Sequence, residues 1–206
     1  MSGEQLAAIS IDEISNVRDV KDYLSRNFGF PVFLQQLLDN GSSLDDSALM
    51  PVPIDLQLVL KSVFSATDQQ EAATELLRAC ATGHFNTVRL LLEAGTNKDA
   101  QDRMSRTGLI LAAKSGHVET VRLLLEAASN VNAKGVDGCG ALMVAAHIDN
   151  VEITQLLLDA GANKDLQDLV GNTALLVAAR LGNVKVVELL LEAGCKKDLP
   201  DRMGNT

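Results

Sequence analysis

The chain repeats itself. Residues 102–134 read DRMSRTGLILAAKSGHVETVRLLLEAASNVNAK, 135–167 read GVDGCGALMVAAHIDNVEITQLLLDAGANKDLQ, and 168–200 read DLVGNTALLVAARLGNVKVVELLLEAGCKKDLP, three units of 33 residues in one register. Upstream, ATELLRACATGHFNTVRLLLEAGTNKDAQ (73–101) matches the same register, and DRMGNT (201–206) opens a further copy. A period of this size constrains the fold more than any local pattern does. One such unit cannot bury its own apolar face, whereas stacked neighbours share a continuous core once about three are in line.

Each unit reads as a turn followed by two short helices. The turn carries Ser105, Gly138, Gly171 or Gly204 at its fourth position. The first helix holds a pair of small residues, Ala79/Cys80, Ala112/Ala113, Ala145/Ala146 or Ala178/Ala179, which is expected to let the second helix of the unit approach closely. The second helix holds a leucine triplet: 90–92, 123–125, 156–158 and 189–191. Gly83, Gly116 and Gly182 are expected to end the first helices, and Gly95, Gly161 and Gly194 the second, in the left-handed conformation glycine favours. Asp149 and Ala128 stand at two of these stops. Alanine there costs about 1 kcal/mol, so a soft point is expected near Ala128.

This pattern resembles the ankyrin repeat over residues 69–206, with units 69–101, 102–134, 135–167 and 168–200 and a truncated copy at 201–206. The family's T-P-L-H start appears as Thr107-Gly108-Leu109-Ile110, Gly140-Ala141-Leu142-Met143 and Thr173-Ala174-Leu175-Leu176. Proline and histidine are absent from every copy, so the bonds that histidine makes between repeats are expected to be missing. The resemblance implies an all-α solenoid that binds proteins along its hairpin tips and the exposed positions of its inner helices. Carried onto this chain, the tip positions include Arg103, Met104 and Arg106; Val136 and Asp137; Leu169, Val170 and Asn172; and Arg202 and Met203. The inner-helix positions include Lys114, His147, Ile148, Arg180 and Leu181. Many of these are apolar and others basic, and an exposed apolar stripe flanked by like charges suits an extended acidic and hydrophobic protein segment.

Residues 1–60 carry no repeat. Val17, Val20 and Leu24, spaced by three and four, predict a helix over 16–27, with Gly29 and Pro31 as its stop. Short apolar runs follow at Phe33–Leu38 and Asp55–Leu60, with a turn at Asp39-Asn40-Gly41 between them, which predicts an α+β domain. The segments Val20-Lys21, Gly29-Phe30-Pro31, Gln35-Gln36-Leu37-Leu38, Gly41 with Leu44-Asp45-Asp46, and Leu58-Val59-Leu60 resemble a ubiquitin-like β-grasp domain. No diglycine follows the last strand, so conjugation is not expected. The family's first strand has no counterpart, which implies either a start placed too late or an open edge along residues 56–60 and low stability. The resemblance places Leu38 and Val59 where that family shows an apolar recognition patch, and alternation along 56–60 puts Gln57 and Val59 on the face away from the core. Residues 61–68 read as a linker.

Composition agrees with two differently built parts. The chain is 47% hydrophobic but has only six aromatic residues, Phe and Tyr together. Five lie before residue 65; Phe85 alone serves the repeats, whose thin core is filled by Leu and Ala. The net charge is −9. It is spread as nine acidic against four basic residues in 1–67 and eighteen against fourteen in 68–206. That balance gives no electrostatic reason to expect nucleic acid or an anionic membrane. No apolar run approaches the roughly 18–20 residues of a membrane span, and residues 1–20 lack a secretory pattern. Cys80, Cys139 and Cys195 suit a reducing compartment, so a cytoplasmic or nuclear location is expected. The Asn40-Gly41-Ser42 triplet reads as a turn rather than a glycosylation site.

No catalytic chemistry emerges. His84 and His117 sit in the Gly-His step between helices, and His147 sits on an inner helix. Glu93, Glu126, Asp159 and Glu192 recur at one repeat position, the mark of a solvated face. No ligand spacing, phosphate loop or nucleophile pair is present, so neither enzyme activity, metal nor cofactor is expected. The leading reading is a non-catalytic adaptor. Two alternatives are a ubiquitin–proteasome adaptor using Leu38 and Val59, and the regulatory front of a larger enzyme or channel, the latter suggested by a final repeat that lacks both helices.

Overall fold

A computed structural model describes residues 16–28, 35–39, 42–47, 56–60 and 66–206. The chain divides into two compact units, 1–63 and 64–206.

In the first unit, α1 (Val17–Phe28) starts where Asn16 caps it. The Asn16 side chain accepts from the Asp19 amide at 3.0 Å, and the Asp19 carboxylate accepts from the Asn16 amide at 3.2 Å. Such a reciprocal pair satisfies two backbone donors that a helix start otherwise strands. The stripe Val17, Val20 and Leu24 is buried, as its spacing predicts. The amine of Lys21, itself buried, pairs with Asp46, and the Gln35 amide donates to the Lys21 carbonyl at 3.1 Å. Strands β1 (Gln35–Asp39), β2 (Ser42–Ser43) and β3 (Leu56–Leu60) form an antiparallel sheet in the order β2-β1-β3. Its register pairs Leu38 with Gln57 and Gln36 with Val59. The expected stop at Gly29 and Pro31, the residues Phe33 and Asp55, and linker residues 61–65 lie outside the described residues.

The second unit is a double row of helices. Helix α2 runs Ala66–Thr82, so the last three residues of the expected linker are helical. The inner row continues with α4 (Gly108–Ser115), α6 (Ala141–His147) and α8 (Ala174–Leu181). The outer row is α3 (Phe85–Glu93), α5 (Val118–Glu126), α7 (Val151–Asp159) and α9 (Val184–Glu192). Each inner helix packs on its own outer helix, and successive inner helices pack on one another. The middle leucine of each triplet, Leu91, Leu124, Leu157 and Leu190, is fully buried between the rows. Each contributes about 1.5–3 kcal/mol of burial.

All four outer helices end alike. The amides of Thr96, Ser129, Ala162 and Cys195 donate to Leu91, Leu124, Leu157 and Leu190, and those of Gly95, Ala128, Gly161 and Gly194 donate one residue further on. This paired closure satisfies the last free carbonyls and requires a left-handed residue just after the helix. Gly95, Gly161 and Gly194 supply it without strain, whereas Ala128 adopts φ +56° and Asp149, closing α6, adopts φ +58°.

With no histidine at the T-P-L-H position, side-chain bonds between repeats are made by other residues. The His117 ring nitrogen Nε2 lies 3.2 Å from the Ala81 carbonyl, and the Asn183 amide donates to the Ala146 carbonyl at 2.7 Å. The loops add a side-chain ladder, with the amides of Asn130, Asn163 and Lys196 donating to Asp99, Asn132 and Asp165. Thr107 and Thr173 cap α4 and α8 through their hydroxyls, and Gly140 leaves α6 without a side-chain cap.

The unusual Gly108 has a packing cause. A Cβ at Gly108 would stand 2.9 Å from the Cys80 sulfur. Where the small pair is Ala-Ala, the corresponding residues are Ala141 and Ala174; where it contains Cys80, that residue is glycine. Gly108→Ala is therefore expected to destabilise the stack by about 1–3 kcal/mol through overpacking. In a Cys80→Ala background the same change should become neutral or stabilising, as alanine suits a helix better than glycine. A denaturant double-mutant cycle reads the coupling, and additivity would refute the contact. Ala128→Gly should raise stability by about 0.5–1 kcal/mol, while Gly161→Ala at the equivalent position should lower it; chemical denaturation of both variants checks the opposite signs.

Candidate functional site

The hairpin tips are built on aspartates. The Asp102 carboxylate accepts from the amides of Met104 at 2.8 Å and Arg106 at 2.9 Å, and from the Arg106 guanidinium. Asp168 does the same for Val170 and Asn172, and Asp201 for Met203 and Asn205. Partial burial works to raise the Asp102 carboxyl, but the bonds from Arg106 and Met104 outweigh it and hold it below the usual carboxylate range. Bonds from the Asn205 side chain and amide lower Asp201 likewise. Gly135 interrupts the series, and there Asp137 accepts from the Cys139 amide at 2.9 Å. Successive tips are joined by backbone bonds, Val136 to the Met104 carbonyl, Leu169 to Asp137 and Arg202 to Val170, at 2.9–3.0 Å.

The apolar tip residues are presented to solvent. Met104, Val136, Leu169, Val170 and Met203 are all exposed, as are Ile148 and Leu181 at the far ends of α6 and α8. Arg103 and Arg202 are exposed beside them. Asn172 is not an open tip residue. It is buried, its amide nitrogen donates to Asp168, and its oxygen accepts from Arg180 at 3.2 Å. Arg106 is likewise committed, paired to Asp102 at 2.6 Å.

Between the tips and the inner-helix ends runs a groove of about 790 Å³. It gathers Met104, Arg106, Lys114, Val136, Asp137, His147, Ile148, Asn172, Arg180 and Leu181. Arg103, Leu169, Val170, Arg202 and Met203 stay outside it on the tips. Lys114 forms no ion pair among the described residues. The groove's floor holds residues the sequence reading passed over: Ile110, Met143, Val144 and Val177. Ile110 and Met143 occupy the position where the family carries histidine. The apolar character of that departure was the available signal, because it turns a polar tie into an apolar floor.

Cys139 lies in the groove, with its thiol pushed up to about 11 by burial and by Asp137 and Asp168. Cys80 is pushed to about 12 by burial alone. Neither is poised as a nucleophile. Among the described residues no three His, Cys, Asp or Glu side chains gather as metal ligands, and no helix is long and apolar enough to cross a membrane. Leu38 and Val59 lie on β1 and β3, and their side chains fall outside what is described.

No curated protein matches the chain. Comparison with protein families matches Ankyrin repeats (3 copies) at residues 25–135 and 129–201, the first span beginning within α1. Nothing in these comparisons supports a ubiquitin-like domain in the first unit. The matched spans cover most of the chain and contain every helix of the double row, and the chain belongs to the ankyrin repeat family, whose members bind other proteins.

Proposed function

We propose that the stack is a non-catalytic adaptor that holds an extended, acidic and apolar segment of a partner protein in the groove between its tips and inner-helix ends. One observation carries this reading: Met104, Val136, Ile148 and Leu181, exposed apolar side chains from three successive repeats, line a single concave surface with Lys114 and Arg180 at its side. Scattered exposed apolar residues are ordinary, but a continuous set rimmed by charge is a feature of protein-binding surfaces. The three free thiols fit a reducing compartment, the cytoplasm or nucleus. Selection from a displayed peptide library on the full chain should enrich acidic, apolar sequences. The Ile148→Asp/Leu181→Asp variant should melt within a few degrees of the parent and retain those peptides at least about tenfold less well. Undiminished retention would refute the groove.

We also infer a ubiquitin-like β-grasp character for residues 1–60. Its support is the order of elements: α1, then the β1–β2 hairpin, then β3 antiparallel beside β1. In that reading Leu38 and Val59 would engage a ubiquitin receptor. Val59→Asp in the full chain should then weaken capture of a ubiquitin-receptor domain by about tenfold; no capture by the parent chain would exclude the role.

A further inference from the structure

Lys114, His147 and Arg180 lie 33 residues apart, at one position of three successive repeats. They stand at the ends of α4, α6 and α8, each packed on the next, and all three are exposed and line the groove. They therefore form a ladder of nitrogen-bearing side chains whose backbone step is set by helix packing, about 8–10 Å per repeat, with the Arg180 guanidinium also resting on the Asn172 side-chain oxygen at 3.2 Å. The opposite side of the groove, toward the tips, carries Asp137 and Asp168, together with Arg106, whose charge is offset by its pair with Asp102. The groove is thus polarised across its width, basic along the helix ends and acidic along the tips, with an apolar floor at Met143 and Val177.

Few backbone conformations can meet such a ladder. A β-strand returns a side chain to the same face every second residue, about 6.8 Å apart, well short of the step. An α-helix returns after about 5.4 Å. A polyproline-II segment has three residues per turn and a rise of about 3.1 Å, so every third side chain lies on one face about 9.3 Å apart. That spacing matches the ladder over all three rungs. Of the two remaining faces of such a segment, one meets the apolar floor and the other solvent.

We propose, resting on the groove reading above, that the partner segment is a polyproline-II stretch with a carboxylate at every third residue, one opposite each of Lys114, His147 and Arg180. Asp137 and Asp168 repel those carboxylates from the tip side, so the polarity of the groove fixes which face of the segment turns toward the helix ends. Proline is well suited to the intervening positions, because this conformation has no internal backbone bonds to lose.

The test uses the full chain and three labelled peptides read by fluorescence anisotropy. The first is Asp-Leu-Pro repeated three times. The second has the same residues reordered to place Asp at every second position. The third is the first with Asn for Asp. The first peptide should bind at least about tenfold more tightly than either control, the sum of modest exposed charge pairs. That advantage should shrink with added salt and with Lys114→Glu, a change at an exposed side chain without an ion pair. Equal affinity for the two Asp spacings, or indifference to Lys114→Glu, overturns the register and leaves the groove reading standing. If no peptide binds and none is selected from the library in an Ile148-dependent manner, the groove reading itself falls.

Discussion

The stack depends on how closely neighbouring inner helices approach, and that distance is set by residues no larger than cysteine. Ala79, Cys80, Ala112, Ala113, Ala145, Ala146 and Ala178 are all fully buried. Close approach brings the tips within hydrogen-bonding distance of one another, and the tip-to-tip backbone bonds then fix the step of the stack. The Cys80–Gly108 pair shows how tightly the distance is held: one extra sulfur on one helix coincides with loss of a methyl on its neighbour. A larger residue at either place would have to push two backbones apart, and every element above the groove would move with them.

Because each repeat touches only its neighbours, departures from the repeat pattern stay local. Ala128 and Asp149 hold left-handed conformations that glycine holds elsewhere, yet Ala128 keeps both closing amide bonds of its helix, and after Asp149 the Asn150 amide still donates to the Ala145 carbonyl at 3.1 Å. Gly140 removes a side-chain cap from α6, and its neighbours α4 and α8 keep theirs. Side-chain bonds between repeats come from His117 in one step and Asn183 in another, each just past the end of an inner helix and away from the T-P-L-H start.

Periodicity made the double row legible, because a 33-residue period with small pairs, leucine triplets and left-handed stops leaves one way to bury the apolar face. Exposure of Met104, Val136, Leu169, Ile148 and Leu181 was legible for the same reason: positions repeat, so an apolar residue at a solvent position stands out. Partnerships were not legible. Asn172 sits at a tip position but is turned inward by Asp168 and Arg180, and Arg106 is held by Asp102; both depend on contacts that spacing cannot show. The floor was missed because Ile110 and Met143 were weighed as lost histidines rather than as gained apolar surface. In the first unit α1, β1 and β3 coincide with the apolar stripe and runs, whereas β2, Ser42–Ser43, has no apolar residue to mark it, and the sequence could not show the buried Lys21 pairing with Asp46.

Bulk charge gives a poor guide to the groove. The chain carries −9 overall, yet many of its carboxylates near the tips are engaged in holding backbone: Asp102, Asp168 and Asp201 each accept from two amides of their own turn, and Asp137 from one. A carboxylate whose lone pairs are filled by local amides has less left to accept from a ligand's donors, while its negative charge still repels a ligand carboxylate. Basic groups along the helix ends are less constrained, since Lys114 makes no ion pair among the described residues, and Arg180, exposed, donates to the neutral Asn172 amide while its charge adds to the Asn205 bonds in lowering the Asp201 carboxyl. Charge committed to architecture and charge left for recognition therefore differ in sign within a single concave surface. An acidic protein can present a basic wall when its acids are spent on turns, and the sign of what it recruits follows from the groups left over rather than from the sum.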